Sequence, residues 1–117
     1  EKSKCNNLLN ALRKNCKNGN WEYINTKNNE SFRVEDSYHL CMMLCCFRKI
    51  NDLNIDCTDL INTTLNTIQK LNKNRIDYGS IGYNPPFLFV ATKGLDDNLA
   101  NRALNEIKEY TKFVPEG

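Results

Sequence analysis

No apolar run in this sequence approaches the roughly 18 residues that a membrane-spanning helix requires, which excludes a transmembrane chain. An excess of either charge is also lacking. Sixteen basic residues stand against 14 acidic ones over 117 positions, interleaved, for a net charge of +2. A nucleic-acid binder shows a basic stripe, and none is present, so no nucleic-acid partner is expected. Histidine occurs once, at His39, and any Cys–His or Ser–His catalytic pair would have to use it. Glycine is scarce, and Gly79-Ser80-Ile81-Gly82 matches neither a Walker A loop nor a G-x-G-x-x-G turn, so it reads as a plain loop. These shortages argue against an enzyme and against a cofactor. The chain opens Glu1-Lys2-Ser3-Lys4-Cys5, with neither Met nor an apolar segment, and reads as a mature or trimmed N-terminus.

What is present is a core and six cysteines. Leu, Ile, Val and Phe supply 29 residues, about a quarter of the chain, above the level at which a sequence stays disordered. With no internal repeat and no linker, residues 1–117 read as one domain. An even count of six cysteines in a small chain is the pattern of a secreted protein with three disulfides. Two N-glycosylation acceptors, Asn29-Glu30-Ser31 and Asn62-Thr63-Thr64, are consistent with secretion. They lie among 19 asparagines, a number that reflects an AT-rich coding sequence and makes such triplets arise by chance.

Periodicity predicts a mainly α fold, a disulfide-stapled bundle of about four helices with a small β element. Cys5, Leu8, Leu9, Leu12 and Cys16 fall on one helical stripe, ended by Asn18-Gly19-Asn20. Residues 21–24 and 31–34 are either short hairpin strands or an extended connection. Asp36 is a good N-cap for a second helix running to about Lys49. Tyr38, Leu40, Cys41, Met42, Met43, Leu44, Cys45, Cys46 and Phe47 leave it almost no polar face, which predicts the buried, central element. Asp56 caps a third, amphipathic helix through Leu71. From 76 to 94, Gly79, Gly82, Pro85, Pro86 and Gly94 argue against a helix, and Phe87-Leu88-Phe89-Val90-Ala91 reads as a buried strand. A last helix begins at Asp96 or Asp97, with Leu99, Ala103, Leu104, Ile107 and Tyr110 inward.

Adjacent Cys45 and Cys46 cannot form a relaxed ring, and Cys41 and Cys45 run side by side along one helix. Pairing these three with Cys5, Cys16 and Cys57 leaves six connectivities of the fifteen that six cysteines allow. A continuous first helix would hold Cys5 and Cys16 about 16 Å apart at 1.5 Å per residue. So either that helix breaks before Cys16 or the two helices lie nearly along each other. The same residues could be read as a zinc set, His39 with Cys41, Cys45 and Cys57. Structural zinc sites favour two Cys-x₂₋₄-Cys knuckles, though, and only one such spacing exists, so no metal is expected.

The segment Tyr38-His39-Leu40-Cys41-Met42-Met43-Leu44-Cys45-Cys46-Phe47-Arg48-Lys49-Ile50, followed by a turn and a new helix, resembles insect odorant-binding proteins. The likeness spans residues 5 to 70. In that family two cysteines with three residues between them share a helix, as Cys41 and Cys45 do, and an earlier helix carries another at the distance of Cys16. The resemblance implies an all-helical secreted fold with three bridges, one of them Cys16–Cys45, and an internal cavity for small apolar ligands; salivary relatives capture host mediators. This chain departs from the pattern after Cys57, where it has no further cysteine, and Cys5 and Cys46 have no counterpart.

Two functions are therefore expected. The first is a secreted protein-interaction module, an effector or surface-derived domain binding a host or partner protein through the aromatics Trp21, Tyr78 and Tyr83. The alternative is a carrier of a small hydrophobic ligand lodged against Met42, Met43 and Phe47, since methionine adapts to such pockets. No residue is assigned a catalytic role.

Overall fold

Side chains that bond to nearby backbone mark the starts of four helices. The computed structural model describes residues 2–76 and 84–111, with the backbone alone for 74–76, 110 and 111. In order these form α1 (Lys2–Arg13), β1 (Cys16–Lys17), β2 (Asn20–Ile24), β3 (Ser31–Arg33), α2 (Ser37–Asp52), α3 (Thr58–Ile76), α4 (Pro85–Thr92) and α5 (Asp97–Thr111). Asp36 caps α2 by accepting the His39 N–H at 3.0 Å. The Asp56 carboxylate accepts both the N–H and the hydroxyl of Thr58 at the start of α3. Asp96 accepts the Leu99 N–H at 3.1 Å and begins α5. The fold is mainly helical, as the periodicity predicts, with a small three-stranded sheet.

Three local expectations are corrected. The first helix ends at Arg13, and Cys16 opens β1 instead of continuing the stripe. Asn18 and Gly19 have φ of +54° and +75°, so this pair is the two-residue turn of a β1–β2 hairpin and not a helix cap. On α1 only Leu9 is buried, while Leu8 is 68% exposed.

The run 87–91 is helical, not a strand. Pro85 and Pro86 occupy the first turn of α4, where the backbone needs no N–H, and their fixed φ suits a helix start. Asn84 supplies the cap, accepting the Phe87 N–H through its side chain and the Leu88 N–H through its carbonyl. Gly94, at φ +86°, stands beyond the helix end and interrupts nothing. Prolines that would break a helix interior thus begin one here, and the described residues contain five helices.

The third correction concerns α2. It buries Leu40, Cys41, Leu44 and Phe47 but turns Tyr38, Met42 and Cys46 to solvent, so it is covered on one side only. Its packed side meets α3 and α4, and α4 meets α5. Arg48 reaches from α2 to the Ala91 carbonyl at 2.9 Å, satisfying an end carbonyl of α4.

The sheet has the order β1-β2-β3, antiparallel throughout, with Glu22 opposite Arg33, Tyr23 opposite Phe32 and Ile24 opposite Ser31. It is fastened through Trp21, which is 3% exposed. The Trp21 N–H donates to Thr67 Oγ1 at 2.9 Å, and its indole N–H donates to Thr64 Oγ1 at 2.8 Å. Its ring stacks on Phe47 with centroids 6.1 Å apart. The sheet is thereby joined to α3 by two hydrogen bonds and to α2 by an aromatic contact.

α1 is held by Leu9 and by a forked ion pair, Arg13 Nε and Nη2 to the two Asp59 oxygens at 2.7 and 3.0 Å. The guanidinium holds the Asp59 carboxyl below its ordinary value. Because the folded value is the lower one, this stabilisation is present above the unfolded value near pH ~3.9 and is lost as pH falls through the folded value. Asp59→Asn should therefore speed amide exchange in α1 at neutral pH and leave the α2 and α3 core amides unchanged. Slow α1 exchange in that variant would show that Leu9 suffices to hold the helix.

Candidate functional site

The hairpin, the start of α2 and the start of α4 converge on an open cleft of about 590 Å³. Along β2, Trp21 is buried, and Tyr23, two residues on, points to the same side of the strand but lies beyond the core. Opposite them, Val34 is buried and donates its N–H to the Trp21 carbonyl at 3.0 Å. Phe32, facing Tyr23, is 64% exposed. One sheet face thus begins as core and ends as an exposed aromatic pair. Tyr23 enters the cleft wall, and Phe32 stands beside it.

The chain then turns at Glu35 and Asp36 into α2. Tyr38, in the first turn, is 58% exposed and meets the Phe87 ring edge-on at 5.2 Å. Asn84, the α4 cap, closes the far side. Charges of both signs line the cleft: Arg33 lies 3.5 Å from Glu35, and Asp36 stands beside them. Arg33 Nε is buried and has no hydrogen-bond partner. The arrangement offers aromatic faces, two carboxylates and an arginine with an unused donor. That set suits a polar chain segment better than a bare hydrocarbon.

Among the described residues, those singled out from the sequence do not assemble into one site. Trp21 and Phe47 stack on each other in the core, so Trp21 is a structural anchor and not a surface contact. Met43 packs against the core half-buried, and Met42 faces solvent. Tyr78 and Tyr83 lie outside the described residues. Asn29 is exposed in the β2–β3 connection at φ +57°, and Asn62 is exposed on α3. The sequence reading missed Tyr23, Phe32, Arg33 and Tyr38. Alternation was the available signal: Trp21 with Tyr23 and Phe32 with Val34 share a sheet face once the two strands are accepted.

No disulfide joins the cysteines in this structure. Cys5, Cys16, Cys41, Cys45, Cys46 and Cys57 carry free thiols here. Cys41 and Cys57 are buried, and the Cys57 thiol donates to the Phe47 carbonyl at 3.0 Å. Burial pushes the Cys41 thiol up to about 12, against the opposing hydrogen bond to Ser37. Cys16 and Cys45 are raised for the same reason, opposed by Thr63 and Arg48 respectively. Among the described residues no group of three or more His, Cys, Asp or Glu side chains could hold a metal ion, His39 with its neighbouring cysteines included.

Only the thiolate is nucleophilic, so alkylation of the native chain at neutral pH should modify the exposed Cys46 first. Cys41 and Cys57 should react only after unfolding, read by mass spectrometry of the digested protein. Native Cys46 that stays unreactive until a reductant is added would reveal a bridge.

No family model matches this chain, and neither a curated protein nor a solved structure is found similar to it.

Proposed function

We propose that this chain is a protein-interaction module that seats a loop of a partner protein in the cleft between the hairpin, α2 and α4. One observation carries the reading: Tyr23 and Tyr38, 60 and 58% exposed, line one opening, and Phe32, 64% exposed, is the cross-strand partner of Tyr23. Single exposed aromatics are ordinary on a protein surface, but a cluster of them marks a contact site. Aromatic rings and arginine dominate binding hot spots, because they bury a large area with few rotatable bonds. The tyrosine hydroxyls supply directional bonds, and Arg33, Glu35 and Asp36 add charge selection at the rim.

The double substitution Tyr23→Ala/Tyr38→Ala should weaken partner binding at least about tenfold, since losing a hot-spot ring costs about 2 kcal/mol or more. Both rings are exposed, so the melting temperature should hardly change. The comparison is a pull-down with native and doubly substituted protein. A partner retained by the native chain and lost by the variant supports the reading, and one retained equally by both overturns it.

An extracellular setting is a separate part of the proposal, supported by the even cysteine count and by the exposure of both acceptor asparagines, Asn29 and Asn62. Protein passed through a eukaryotic secretory pathway should lose mass on treatment with an N-glycosidase. An unchanged mass would count against that setting and leave the cleft reading standing.

A further inference from the structure

A second depression, of about 310 Å³, lies between α3 and α5, away from the aromatic cleft. Asn72 forms part of its floor and is completely buried. Its Nδ2 donates to the Ile68 carbonyl at 2.8 Å, which fixes the orientation of the amide. An oxygen cannot face that carbonyl, so Oδ1 is the end that turns away from the helix's own backbone. Asn72 Oδ1 is buried and has no hydrogen-bond partner. Buried acceptors in folded proteins nearly always meet a donor, and an exception points to a group that arrives from outside.

The rest of the groove indicates what that group is attached to. Lys73 and Arg102 border it as exposed cations. Among the described lining residues the carboxylate is Asp96, whose Oδ1 accepts the Leu99 N–H and whose Oδ2 accepts Gln69 Nε2 at 2.9 Å. Two cations against this one anion leave the described rim net positive, over the unmatched Asn72 oxygen on the floor. A bare anion would satisfy only the first, and a neutral alcohol only the second. We propose that the α3–α5 groove binds a small organic anion bearing a hydroxyl group, the hydroxyl donating to Asn72 Oδ1 and the anionic end held by Lys73 and Arg102.

The test titrates the full chain with glycerol 3-phosphate, with sulfate as an anion lacking the hydroxyl and glycerol as a hydroxyl compound lacking the charge. Binding is followed by calorimetry and by the NMR shift of the Asn72 side-chain amide. Glycerol 3-phosphate should move that amide and bind at least about tenfold more tightly than either control, the increment expected when a second anchoring interaction is added. Lys73→Ala/Arg102→Ala, two changes at the surface, should weaken binding by at least about tenfold with the melting temperature unchanged. Asn72→Leu replaces an unsatisfied polar group by an apolar one of similar size, and should abolish binding while raising the melting temperature. An unmoved Asn72 amide, or sulfate binding as tightly as glycerol 3-phosphate, would overturn the proposal. So would a drop in melting temperature for Asn72→Leu, which would mean that a resident water already satisfies the oxygen. If that variant does not fold, the Lys73/Arg102 pair and the ligand comparison decide alone.

Discussion

Trp21 is the point at which this fold is joined. Thr64 and Thr67 lie one step apart on α3, and each spends its hydroxyl proton on the carbonyl four residues back, Leu60 at 2.6 Å and Thr63 at 2.8 Å. With the proton committed, each oxygen has only lone pairs to offer, and both turn them to Trp21, one to the indole and one to the backbone. Two polar side chains inside a helix face are thereby satisfied without water. The sheet, too small to stand by itself, gains a fixed seat. Phe47 closes the arrangement from α2 by stacking on the same ring.

The candidate cleft is a consequence of that seat. With Trp21 and Val34 fixed inward, the two-residue period of the strands carries Tyr23 and Phe32 to the same side but outside the buried core. Asp36 then stops the chain and starts α2, which brings Tyr38 across from Tyr23. The aromatic pair is exposed because nothing in the core covers that end of the sheet face. Packing, caps and buried hydroxyls position these elements.

What was legible in the sequence was local. Asp36 and Asp96 act where they stand, because a carboxylate beside the first free N–H groups needs no distant partner. The α3 and α5 faces follow from the 3.6-residue period, and the 21–24 and 31–34 segments do pair as strands. The failures came from signals with two meanings. Asn18-Gly19 suits a helix end and a hairpin turn alike, since both need positive φ. Pro85-Pro86 before an apolar run suits an extended segment and a helix start alike, and the Asn84 cap decided for the helix. The apolar residues of α2 pointed to burial all round, yet Met42 and Cys46 found no element to cover them.

By itself, the amino-acid order determined where α2, α3 and α5 begin and which residue types are available for a core, because caps, periods and charges act over a few residues. Only the tertiary structure decided which of those residues meet. Trp21 was a surface candidate until two threonines more than forty positions away gave its N–H groups acceptors. Asn72 was one asparagine among 19 until the fold buried it with its oxygen unmatched. Contact between distant positions depends on the path of the whole chain, and no local pattern encodes it.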